Sequence, residues 1–269
     1  MGRQPRYTEP MCTIVAVRGV RPDAPLVLAT NRDEFFQRPA TGAVRLLDAP
    51  PTVGGRDLVA GGTWMGVTRD GLFVGVTNQR GAPRDPDKRS RGELVLEALK
   101  LGSVERITDY LTTVQGDAYS PFNLMWGDAS ALRVGYGRAD RRLVEIAEVP
   151  TGVHVLPNDR LDSPDFVKVE RVNQLLAPFL HADSETFLRG MQAMLADRQL
   201  PEVDRLRDER LDPALLRQLA AINVSTPHYG TRSSTVVLLQ PGGVSAYWVA
   251  EGPPDRTPFL EVSRLFDMP

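Results

Sequence analysis

Cysteine is almost missing from this sequence: Cys12 is the single example in 269 residues. One thiol excludes an internal disulfide and any paired-cysteine metal or redox site. Histidine is nearly as scarce. His154, His181 and His228 share no i,i+4 spacing, so a helical zinc motif has no candidate ligands and no metal is expected. Neither sign of charge dominates. Lys and Arg number 32 against 34 Asp and Glu, which leaves no global field to attract nucleic acid or an anionic membrane. No apolar run approaches the roughly 20 residues that span a bilayer. The opening residues 1–10 lack the apolar segment of a secretory signal, and Arg6 stands where a myristoylation motif needs Ser or Thr. These absences predict a cytoplasmic protein with a small-molecule substrate or ligand, no nucleic-acid partner and no membrane insertion. Protein partners are left open.

What is present reads as an ordinary globular chain, long enough to bury a substantial core. Residues 1–10 are polar, carry two prolines and show no period, which predicts a disordered leader before one domain spanning 11–269. Short β-prone runs at 13–17 and 26–30 are separated by Gly19, Pro22 and Pro25. A second pair, 63–67 and 72–77, flanks Arg69-Asp70-Gly71, where Asp-Gly signals a hairpin. A charged, proline-bearing loop at 81–89 follows. Helices are predicted over 92–101, stopped by Gly102, and from the cap Ser103 to about 114. Strands return at 123–126, 132–136, 143–149 and 153–156. Pro164 predicts the first turn of a helix running towards 180, with Pro178 as a kink or end. Further helices fit 184–196 and 213–222. Strands at 234–240 and 244–249 join through Pro241-Gly242-Gly243, and a short run falls near 259–262. Hairpins outnumber βαβ crossovers, which predicts mainly antiparallel sheets with helices layered outside, an α+β arrangement.

Cys12 opens the first predicted strand, directly after Met11. A chain that began at Cys12 would hold a thiol and a free α-amino group on one residue. Such an amine has an ordinary pKa of about 7.7–8.0 and can accept a proton near neutrality. A thiol is a strong nucleophile that an adjacent base activates further. The plainer use of a lone cysteine is as a small apolar side chain in a strand.

Neighbouring motifs favour the reactive use. Met11-Cys12-Thr13-Ile14 is followed by Thr30-Asn31-Arg32-Asp33-Glu34-Phe35 and Arg38-Pro39. Gly61-Gly62-Thr63-Trp64-Met65-Gly66 precedes Thr77-Asn78, then Arg91-Gly92-Glu93-Leu94, Pro157-Asn158 and Gly230-Thr231-Arg232-Ser233-Ser234-Thr235. This ordered set, over about residues 11–250, resembles the NRDE family, named for its Asn-Arg-Asp-Glu. The family is similar in layout to cysteine N-terminal-nucleophile hydrolases such as penicillin V acylases and bile salt hydrolases. That resemblance implies a four-layer αββα fold and an amidohydrolase or acyltransferase acting on a small acylated molecule.

It also implies roles. Cys12 falls on the nucleophile and Asp33 on the carboxylate that contacts its amino group. Asn78 falls on an oxyanion-site asparagine, Asn158 on a second polar asparagine, and Arg232 on a late arginine near the nucleophile. Asn31, Arg32, Trp64 and His228 are candidate substrate contacts. No cofactor is required for such chemistry. The NRDE resemblance also implies a non-catalytic alternative, carriage of haem or a lipid-like ligand in trafficking. The asparagines have another use in turns, Asp33 and Arg232 in a structural ion pair, and Arg32 and Glu34 on the solvent face of a strand end. Two features depart from the hydrolase pattern. Ten residues precede Met11, and Thr30 stands where the acylases place an arginine before the asparagine.

Overall fold

The computed structural model describes residues 12–80, 85–206 and 211–268. The predicted leader at 1–10 and part of the 81–89 loop lie outside them. In chain order the strands begin with β1 (Thr13–Arg18), β2 (Leu26–Phe35), β3 (Ala40–Leu47), β4 (Thr52–Asp57), β5 (Met65–Thr68) and β6 (Phe73–Asn78). Helices α1 (Arg91–Leu101) and α2 (Val104–Thr113) lead to β7 (Phe122–Gly127), β8 (Leu132–Gly137), β9 (Glu145–Glu148) and β10 (Gly152–Leu156). Then come α3 (Val167–Leu176), α4 (Ser184–Leu195), α5 (Pro213–Leu219), β11 (Tyr229–Gln240), β12 (Gly243–Ala250) and β13 (Leu260–Glu261).

The strands form two antiparallel sheets. One has the order β10-β1-β2-β11-β12-β13 and the other β3-β4-β5-β6-β7-β8-β9. Alternation along the strands builds three apolar layers from them. In β1, Ile14 and Ala16 meet Phe73 and Met125 between the sheets. Val15 and Val17 face the other way, onto Val172 of α3 and Phe187 and Met191 of α4. On the far side, Leu94 and Leu99 of α1 and Ile107 and Leu111 of α2 cover Val74 and Trp126. The result is a helix–sheet–sheet–helix sandwich, the α+β four-layer architecture expected from the motifs.

Helix ends follow local chemistry. Gly102 closes α1 in the left-handed region, at φ 74°, and the Ser103 side chain accepts from the Arg106 N–H to start α2. Asp183 and Asp212 cap α4 and α5 in the same way. Other boundaries differ from the sequence reading. Residues 161–165 form turns rather than a first helical turn, so α3 starts at Val167 and not at Pro164. Strands β3 and β4 were not foreseen, because Gly54 and Gly55 dilute the β signal of the second. Position 55 has a spatial demand: a Cβ there would lie 2.1 Å from the Trp64 ring. Most consequential for function, β2 continues beyond residue 30 to Phe35 and β11 begins at Tyr229, so the polar motif residues 31–34 are paired strand.

Candidate active site

The β1–β2 register pairs Thr13 with Asn31. Beyond that pair, successive residues of β2 point alternately to the helices and to the space between the sheets. Asn31 and Asp33 take the helical side, whereas Arg32 and Glu34 take the side that opens into a cleft. The cleft has a volume of about 220 Å³, and its walls include Cys12, Arg32, Glu34, Trp64, Asn78 and Gly92. Arg32 and Glu34 are therefore buried, at 5% and 6% exposure, which replaces the alternative of a solvated strand end.

The cleft wall is assembled by two glycines. A Cβ on Gly62 would come within 2.4 Å of the Gly92 carbonyl carbon, and the Thr63 N–H donates to the Gly92 oxygen at 3.2 Å. This approach brings the start of α1 against the segment carrying Trp64. The Trp64 ring in turn supports the Arg32 guanidinium, 4.2 Å from its centre. Arg32 reaches Glu34 at 3.9 Å, and Arg38 joins Glu34 at 3.5 Å to Asp57 at 2.6 Å. Burial lowers the Arg32 pKa, with Glu34 opposing, and raises that of Glu34, opposed by the Phe35 N–H and by Arg32.

At the other side of β2, Asp33 is fully buried. Its Oδ1 accepts from the Thr231 hydroxyl at 2.5 Å, while its Oδ2 is buried with no hydrogen-bond partner among the described residues. Burial raises the carboxyl to about 7, against the charge of Lys168 and the Thr231 hydrogen bond. Cys12 as a residue is only half-buried. Burial is still the largest influence on its thiol, which is pushed up to about 12, with the Asp33 charge adding to the shift. The Asp33 backbone and the Arg32 charge pull the thiol pKa down, but neither offsets burial. With Cys12 joined to Met11 by a peptide bond, burial holds the thiol in its protonated form at neutral pH.

Asn158 sits beneath Asn78, its Nδ2 donating to the Asn78 carbonyl at 2.9 Å. The structure thus gathers Cys12, Asp33, Asn78 and Trp64 around the cleft, with Asn158 one contact behind. Three other candidates are placed elsewhere. The Asn31 amide donates to the carbonyls of Leu195 and Ile222, and its Oδ1 accepts from Ser234, so it locks α4 to the sheet. Arg232 donates from Nη1 to the carbonyls of Phe35, Phe36 and Arg38, each at 3.0 Å, and holds the turn after β2 rather than facing the thiol. His228 is exposed in the turn before β11. Among the described residues, no group of His, Cys, Asp and Glu is arranged to hold a metal ion.

Lys168 was not anticipated. It occupies α3 on the same stripe as the buried Val172 and Leu176, four and eight residues on, and is itself buried. A lysine on an otherwise apolar helical stripe was the available signal. Thr231 lay within a recognised motif but was not singled out. Arg38 and Asp57 gave no sign of meeting, because they come from different strands and turns.

Two antiparallel sheets between helical layers, with a cysteine opening one inner strand, define the N-terminal-nucleophile hydrolase fold. A Caenorhabditis elegans N-acylethanolamine-hydrolyzing acid amidase ortholog superposes with a TM-score of 0.52 at 13% identity, over 86% of this chain and 93% of that one. A conjugated bile acid hydrolase variant from Clostridium perfringens gives 0.50 at 11% identity, over 93% and 96%. At such identities the likeness is one of fold. The chain belongs to the transport and Golgi organisation 2 family, whose model matches residues 11–248. The Bos taurus transport and Golgi organization protein 2 homolog is 34% identical over 238 residues, covering 81% of this chain and 83% of its own. The Homo sapiens homolog is 32% identical over 237 residues, with the same coverage. No helix among the described residues is long and apolar enough to cross a membrane.

Proposed function

We propose that this protein is a cysteine amidohydrolase or acyltransferase of the N-terminal-nucleophile type, acting in the cytoplasm on a small acylated molecule once its chain begins at Cys12. The observation that carries this reading is the buried, unpartnered Oδ2 of Asp33. Continuing the β1–β2 register by one residue sets Cys12 opposite Arg32, and a free Cys12 nitrogen then lies on the Asp33 side of the strand pair. A buried carboxylate oxygen without a donor is costly. An α-amino group supplies the missing N–H donor.

In this scheme the Cys12 thiol passes its proton to the α-amine while the sulfur attacks the acyl carbon. Negative charge collects on the acyl oxygen, where Asn78, backed by Asn158, stabilises it. The C–N bond breaks as the leaving nitrogen takes the proton, and a thioester remains on Cys12. Water then adds to that thioester, the carboxylic acid leaves, and the thiol regains its hydrogen. No cofactor enters the cycle. Arg32 and Trp64 form the wall against which the acylated molecule lies.

The test joins intact mass to labelling. Purified protein is expected to contain molecules starting at Cys12 that are acylated by an activated acyl ester, whereas Cys12→Ala is not. Protein that always retains residues 1–11 and resists acylation refutes the reading.

A second reading is carriage of haem or a lipid-like ligand in the same cleft. The thiol of the peptide-linked chain favours it, because a sulfur held near pKa 12 is inert. Against a flat macrocycle stands the lining of Arg32, Glu34, Arg38 and Asp57, which offers charge where a broad apolar wall is needed. A Soret shift on titrating haem that survives Cys12→Ala supports carriage, and no shift removes it.

A further inference from the structure

Burying a lysine ammonium strips it of water and requires compensation. Lys168 on α3 is 2% exposed, and its Nζ lies 3.3 Å from the Thr13 hydroxyl, one residue from the nucleophile. An ammonium has three protons to donate, and Thr13 takes one. The charged and titratable groups acting on it come from three other elements: Asp33 on β2, Cys12 ahead of β1, and Arg80 after β6. Arg80 is itself held over the Phe166 ring, 3.9 Å from its centre. On the same helical side of the sheet lies the Oδ2 of Asp33, which lacks any partner among the described residues. A buried donor with protons to spare and a buried acceptor with lone pairs to spare therefore flank the start of β1.

We propose that Lys168 is a positioning residue for the reaction of Cys12, its ammonium sharing Asp33 with the α-amino group and keeping that amine unprotonated at neutral pH. This rests on the amidohydrolase reading above. With Asp33 alone beside it, the α-nitrogen would hold its proton more tightly and fail as a base. Burial lowers the Lys168 pKa, but the Asp33 charge opposes that loss, and the ammonium held in this way repels the amine's proton and lowers the amine pKa. The same charge favours a thiolate at Cys12, so both effects move reactivity towards lower pH. Arg32 and Glu34, on the cleft side of β2, act on the thiol with opposite signs, Arg32 lowering its pKa and Glu34 raising it, while Lys168 and Cys12 interact from the helical side.

The test follows the rate of Cys12 alkylation by iodoacetamide from pH 5.5 to 9.5, read by intact mass. Mass separates molecules that start at Cys12 from those retaining residues 1–11. In molecules starting at Cys12, Lys168→Met moves the rising limb about one pH unit upward, a tenfold loss near pH 7 that vanishes above pH 9. Lys168→Arg keeps the charge and leaves the limb in place, and thermal melts show which variants remain folded. A uniform loss at every pH, or an unmoved limb in folded Lys168→Met, overturns the role of Lys168 while leaving the hydrolase reading intact. A preparation without molecules starting at Cys12 overturns both.

Discussion

Asp33→Asn, made in the chain that retains residues 1–11, should stabilise the protein at pH 8 and change little near pH 4. Burial moves Asp33 from 3.8 to about 7. Between those values the folded state keeps a proton that the unfolded chain has released, so stability falls as pH rises through the window. About three pH units at 1.36 kcal/mol each give an upper bound of about 4 kcal/mol by pH 8. Asparagine imitates the protonated acid and still accepts from Thr231 through its Oδ1. For a domain of this size the gain corresponds to roughly 10 °C in melting temperature. The sign should reverse in molecules starting at Cys12, because there the substitution replaces a carboxylate oxygen that accepts from the α-amino N–H with an amide group that donates. Circular-dichroism melts between pH 4.5 and 8.5, with the first residue fixed by mass, measure both. Parallel pH curves for wild type and variant in the longer chain would show that Asp33 is not held in its costly state, and the geometry assigned to the site would fail with it.

Three other substitutions probe the cleft. Asn78→Ala should slow single-turnover acylation of Cys12 by about 10²–10³ as the donor to the developing oxyanion; Asn158→Ala, which removes the bond to the Asn78 carbonyl one contact behind, should cost less, and equal losses would refute that ordering. Gly62→Ala should destabilise the fold by about 1–3 kcal/mol in urea unfolding, since its Cβ would stand 2.4 Å from the Gly92 carbonyl carbon and push α1 outward; an unchanged midpoint would mean that the two segments separate freely.

Several candidate site residues were legible because their chemistry is local. Cys12 beside Met11 announces a thiol that shares a residue with a latent amine, and Asn78 closes a strand recognisable from its hairpin. The ordered motifs carried the four-layer fold with them. Strand β4 was illegible because its glycines serve tertiary contacts, Gly54 against the Met65 carbonyl and Gly55 against the Trp64 ring, rather than the preference of their own strand. Asn31, Arg32, Asp33 and Glu34 were recognised together, yet their division between two faces follows from the continuation of β2 to Phe35 beside β11. Arg232 looked like a partner for the thiol, but three backbone carbonyls after β2 claim its guanidinium.

The chain's sequence determined which reactive groups exist and the order of helices and strands, because composition, caps and periodicity act over a few residues. Which groups share a space was decided by tertiary packing. Lys168 and Asp33 are separated by 135 positions, and only the packing of α3 and α4 on one face of the β10-β1-β2-β11 sheet strips both of water and makes each the other's electrostatic neighbour.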